Sequence, residues 1–213
     1  MPSTIEIPTP HGPARAHLRP VASARGLLVL GHGAGGGVEA RDLLTVASAA
    51  HGLEVSVALV EQPYRVASRR AAAPARQLDA AWTAVVEHLL ASALVGVPLS
   101  GFPLIVGGRS SGARVACRTA EATGAAGVLC LAFPLQPPLR RGASEPPPSR
   151  LPELDGVTVP TLVVQGVRDR FGMPPIGSNR TLVTVAGDHS LRADQPKIGA
   201  AAREWMTALL AVA

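Results

Sequence analysis

Short apolar runs bounded by glycine or proline, and separated by helix-length segments, restrict the fold of this chain more than any other feature. They are Gly26-Leu27-Leu28-Val29-Leu30, Glu54–Leu59, Leu104-Ile105-Val106, Val128–Phe133, Thr161–Gln165 and Leu182–Val185. Runs this short and this apolar fit strands buried on both faces. Between them the period changes. A helical stretch runs from about Val38 to Ala50, and Leu78, Trp82, Val85 and Leu89 recur at spacings of four, three and four, one apolar face of a helix. Another helix covers about Ser111 to Ala120, and Ile198, Ala201, Trp205, Leu209 and Val212 share one face of a closing helix. This alternation predicts an α/β fold, a mostly parallel sheet with helices on both faces. Ile5–Ile7 and Ala16–Leu18 are read as an antiparallel pair at its edge.

A chain of 213 residues fits a single domain, residues 1–213, able to bury a substantial core. With aromatics at 3%, that core must be built from Ala, Val and Leu, and no aromatic platform for stacking bases is available. The net charge of +5 comes almost wholly from arginine, with Lys197 the only lysine. The arginines are scattered, with tight doublets only at Arg69-Arg70 and Arg140-Arg141. That pattern fits a GC-rich genome better than a polyanion-binding face, so no nucleic-acid partner is expected.

Cys117 and Cys130 lie in apolar surroundings without framework or ligand spacing. They read as buried free thiols of a reducing, cytoplasmic compartment, with no structural metal. The first residues lack a basic start and an apolar run. The uncharged stretch Leu89–Gly108 is broken by Gly96, Pro98, Gly101 and Pro103, so no membrane span is expected. Leu135–Pro152, with Pro137, Pro138 and Pro146-Pro147-Pro148, is too short for a cap domain and reads as a mobile loop over one end of the sheet. The oligomeric state leaves no mark in the sequence.

The chemistry concentrates at Gly108-Arg109-Ser110-Ser111-Gly112. An apolar strand runs into this Gly-x-Ser-x-Gly and a helix-compatible stretch leaves it, the setting of a nucleophile elbow. Ser110 would crown a strained turn at the C-terminal edge of the sheet, beside a helix N-terminus that favours negative charge. Ser111 fails the spacing and would start the helix. Serine near neutral pH needs a base, and the base an orienting acid. Asp169 follows the strand Thr161–Gln165 and His189 follows the last strand, in the order Ser, Asp, His. Asp155 precedes its strand, at the opposite edge, and Asp188 adjoins His189, so their side chains would diverge. The loop Gly31-His32-Gly33-Ala34-Gly35-Gly36-Gly37 is the place for a second oxyanion donor. By position these donors are the amides of Ala34 and Ser111. The same glycines match a dinucleotide-binding pattern, with Glu61 as the nearest acid, but that reading leaves the serine constellation unexplained, and no cofactor is expected.

His32-Gly33-Ala34-Gly35, Gly108–Gly112, Gln165-Gly166-x-x-Asp169 and Gly187-Asp188-His189 together resemble the α/β-hydrolase superfamily, from about residue 26 to the end. The chain is most similar to its small, cap-less, dienelactone-hydrolase-like group. Gly107–Arg114, with Phe133-Pro134-Leu135 and the prolines after it, resembles a little-characterised family that also includes a subunit of an animal histone-acetylating chromatin complex. The resemblance implies a three-layer sandwich around an eight-stranded sheet, with Ser110, Asp169 and His189 as nucleophile, acid and base. It leads us to expect a serine hydrolase acting on a small carboxylic ester or thioester. The alternatives are a peptidase or acyl-protein thioesterase with the same triad, and a non-catalytic interaction module. In the last, Arg140, Arg141 and Arg150 of the proline-rich loop would face the partner.

Overall fold

The computed structural model describes residues 3–92, 102–139, 142 and 144–212. Arg140 and Arg141, and the breakers Gly96, Pro98 and Gly101, lie outside the described residues. The strands are β1 (Ser3–Ile7), β2 (Ala14–Arg19), β3 (Gly26–Gly31), β4 (Val55–Glu61), β5 (Leu104–Arg109), β6 (Gly127–Leu131), β7 (Thr161–Gly166) and β8 (Arg180–Val185). They form one eight-stranded sheet in the order β1-β2-β4-β3-β5-β6-β7-β8.

From β4 to β8 all pairings are parallel. The N-terminal hairpin is antiparallel, with Ile5 opposite Ala16 and Ile7 opposite Ala14. It joins the sheet because β2 also pairs antiparallel with β4. β3 is buried at every residue, which is why its sequence shows no polar alternation.

Among the described residues, six helices cover the sheet: α1 (Arg41–His51), α2 (Pro63–Val66), α3 (Ala75–Ala91), α4 (Ser111–Thr119), α5 (Leu151–Asp155) and α6 (Gln195–Val212). On one face, Leu78, Trp82, Val85 and Leu89 of α3 and Val115 and Ala116 of α4 pack in one cluster with Val29 and Val106. On the other, Leu43 and Val46 of α1 and Ile198, Ala202 and Met206 of α6 pack against Leu28 and Ile105. Burying a Leu or Val side chain contributes about 1.5–3 kcal/mol, so both faces of the sheet hold helices strongly. The result is the expected three-layer sandwich.

The structure differs from expectation in places. Val212 shares the apolar face of α6 but is 84% exposed. The proline-rich stretch is fastened at its base: the Arg150 N–H donates to Leu135 O at 2.8 Å, and the Gln136 side-chain amide to Pro147 O at 2.6 Å. Its last two residues open α5, where Pro152 sits in the first turn and loses no helical hydrogen bond. No helix among the described residues is long and apolar enough to cross a membrane.

Candidate active site

The C-terminal ends of β3, β5, β7 and β8 assemble the site. β5 ends at Arg109 and α4 begins at Ser111, leaving Ser110 as the helix N-cap with φ 53° and ψ −106°. A non-glycine residue held there costs on the order of 1–3 kcal/mol. Its amide is fixed by Leu131 O at 2.9 Å. The two flanking glycines let this turn press on the end of β3. A Cβ at either Gly108 or Gly112 would run into the carbonyl oxygen of Gly31.

Ser110, Asp169 and His189 meet. His189 Nε2 lies 2.9 Å from Ser110 Oγ, and His189 Nδ1 lies 2.8 Å from Asp169 Oδ2. A carboxylate only accepts, so Nδ1 carries the proton and Nε2 of the neutral ring accepts from the serine hydroxyl. Asp169 also accepts from Gln165 Nε2 at 2.9 Å and from the Phe171 N–H at 2.9 Å. The Phe171 ring lies 4.4 Å from the imidazole, centroid to centroid.

The rival carboxylates are occupied elsewhere. Asp155 pairs with Arg180 at 2.7 Å, and Asp188 accepts from the Ser190 N–H and hydroxyl at 2.9 and 2.5 Å. Glu61 lies 3.1 Å from His17 and 3.5 Å from Arg15. Among the described residues, no group of His, Cys, Asp and Glu side chains converges as a metal site requires.

Ala34 and Ser111 line, with Ser110, a cavity of about 270 Å³. Two contacts fix the loop carrying Ala34. The Tyr64 hydroxyl donates to Ala34 O at 3.0 Å, and His32 Nδ1 to Gly33 O at 2.8 Å. His32 Nε2 accepts the Gln62 N–H at 3.1 Å, so the ring is neutral with its proton on Nδ1. Burial lowers the pKa of His32 below its ordinary value, against the Gly33 carbonyl, which favours the charged form.

Sequence reasoning did not single out Arg109, the variable residue of the pentapeptide, as part of the site. Its Nη2 donates to His189 O at 2.8 Å, and its Nε lies 2.9 Å from Asp42 Oδ2. Asp42, in the first turn of α1, is 1% exposed. Burial raises its pKa, and the Arg109 charge works against that rise. The sequence carries little signal for this pair, because an Asp in the first turn of a helix is ordinary and its burial shows only in the fold. Gln165 of the Gln165-Gly166-x-x-Asp169 motif also donates through its side-chain amide to Phe133 O and Gly172 O, at 3.0 and 2.9 Å. It ties the ends of β6 and β7 to the acid loop.

A family described as the alpha/beta hydrolase domain matches residues 24–210. No curated protein matches the sequence. Among solved structures, Est1E from Butyrivibrio proteoclasticus superposes with a TM-score of 0.76 at 16% identity, over 98% of this chain and 99% of that one. A member of the α/β serine hydrolases without lid from Xanthomonas campestris gives 0.72 at 17% identity, over 97% and 94%. The dienelactone hydrolase of Anabaena variabilis gives 0.73 at 13% identity, over 98% and 97%.

Proposed function

The chain belongs to the α/β-hydrolase family, and from that premise we propose that it is a serine hydrolase cleaving a small carboxylic ester or thioester through an acyl-enzyme. The observation that carries the reading is the chain of hydrogen bonds from Ser110 through His189 to Asp169. His189 takes the Ser110 proton as Oγ attacks the carbonyl carbon, and later returns it to the leaving alcohol or thiol. Asp169 holds the tautomer and stabilises the imidazolium as it forms. The amides of Ala34 and Ser111 stabilise the oxyanion; one such donor is typically worth about 10²–10³ in rate. Water activated by the same histidine then releases the acid. The 1–213 chain acts as one domain, and its two free thiols suit a reducing cytoplasm.

Ser110→Ala tests this directly. The variant is expected to lose labelling by a fluorophosphonate probe and turnover of p-nitrophenyl butyrate, while keeping its unfolding free energy, measured by urea denaturation, within about 1 kcal/mol of the parent or above it. Undiminished labelling would overturn the assignment of Ser110.

A further inference from the structure

The wall of the Ser110 cavity is uneven in charge. Much of it is apolar, from residues such as Ala73, Leu78, Pro134 and Phe171, but Arg114, Arg118 and Arg150 also line it. Two of these guanidinium groups are committed to carboxylates. Arg114 binds Glu153 through two nitrogens at 2.8 and 2.5 Å, and Arg118 binds Asp79 at 2.8 and 2.6 Å. Arg118 also reaches Glu153 at 3.2 Å. Neither Glu153 nor Asp79 lines the cavity.

Arg150 is different. Its side chain donates one bond, from Nη1 to Pro134 O at 3.0 Å, and no carboxylate pairs with it among the described residues. Burial lowers its pKa, and the Arg114 and Arg118 charges push the same way, with Glu153 opposing. A half-buried cation crowded by like charges is therefore left with spare N–H donors beside a reactive serine. The cluster as a whole holds three arginines against two carboxylates, which leaves one positive charge over.

We infer that Arg150 binds a compact oxyanion of the substrate, a carboxylate or a phosphate, so that the ester or thioester presented to Ser110 is part of a small acid. This rests on the reading of Ser110 as nucleophile. The physical case is complementarity. Guanidinium donors are spaced to grip an oxyanion at two points, and an anion removes the unfavourable isolation of a partly desolvated charge. The Arg114–Glu153 and Arg118–Asp79 pairs hold α4 to α5 and α3, and so keep the cationic wall in place. Arg150 itself is anchored through its backbone N–H to Leu135 O, so the cation is held near the serine without depending on a charged partner.

The test is a binding measurement that needs no catalysis. Glutaramate, which carries one carboxylate, and its neutral counterpart glutaramide are titrated into the intact protein and followed by ligand NMR. Glutaramate is expected to bind about tenfold or more tightly than glutaramide, as a charge-assisted hydrogen bond allows. That preference should shrink as salt is raised. Arg150→Gln should abolish the preference, and Arg150→Lys, which keeps the charge without the fork, should restore part of it. Methyl phosphate is titrated in parallel, and whichever anion shows the Arg150 dependence identifies the group recognised. Equal binding of charged and neutral probes, or a preference intact in Arg150→Gln, overturns the inference. Fluorophosphonate labelling of the same preparations reports Ser110 separately. Labelled protein without an Arg150 effect sinks only the anion site; unlabelled protein with the effect sinks only the nucleophile.

Discussion

Ser110 sits in a conformation that glycine adopts readily and serine does not, with φ at 53° and ψ at −106°. Ser110→Gly should therefore raise unfolding stability by about 1 kcal/mol while abolishing ester turnover, a trade of stability for chemistry that urea denaturation and a turnover assay read together. A destabilised glycine variant would show that the turn is not strained. Arg109 holds the site by a different means, bridging buried Asp42 to the backbone of His189. Arg109→Met leaves a nearly inaccessible carboxylate without its cation and should cost about 3–5 kcal/mol at neutral pH. The loss should ease as the pH falls, because protonation of Asp42 removes the unpaired charge. Adding Asp42→Leu to the variant should recover at least half of the stability but not the His189 contact, so ester turnover should stay about tenfold down. Full recovery of activity in the double variant would show that the bridge to His189 does not matter.

At the scale of elements, the loop between β3 and α1 is braced by a neutral imidazole, and this has a consequence in pH. The pKa of His32 lies below that of the unfolded chain, about 6.5, so folding favours the uncharged ring. Its contribution is complete above that pH and is lost as acidification carries the solution toward the lowered value, at no more than ~1.4 kcal/mol per pH unit for one proton. Urea midpoints measured from pH 7.5 to 5 should fall more steeply for the wild type than for His32→Gln; parallel slopes would rule out His32 as a source of acid sensitivity. The strands that carry this loop and its neighbours were legible from sequence because β3, β4 and β7 are buried on both faces and cannot alternate. Ser110, Asp169 and His189 could be picked out for a related reason: each follows a strand, and in a parallel sheet the strand ends share one edge. The short helices α2 and α5 were not legible, since four and five residues carry no periodicity. Arg109 and Asp42 are not legible as a working pair because the groups that they join are distant in sequence, 80 residues apart for Arg109 and His189. Gln165 lies only four residues from Asp169, but the spacing does not show which way its amide turns. Only the folded chain brings such groups together.

At the scale of the whole molecule, the sheet spends its length on a frame and leaves little over the site. The proline-rich segment is closed at its base and fastened to the acid loop by Gln136 N–H to Phe171 O at 2.7 Å, so it rims the cavity without adding a domain. The cavity, about 270 Å³, lies just below the usual range of ligand pockets, which run from about 300 to 1,000 Å³. Three arginines interrupt its apolar wall. A continuous apolar channel would stabilise each added methylene by about 0.8 kcal/mol, raising kcat/KM about fourfold per carbon until the channel ended. Here three guanidinium groups stand among the apolar residues of the wall, and each carbon laid against them is repaid less than one laid against an apolar side chain. Across p-nitrophenyl esters from acetate to octanoate, kcat/KM is therefore expected to level off by about butyrate and then decline. A steady climb through octanoate would require an apolar channel beyond the cavity, and would count against a small substrate.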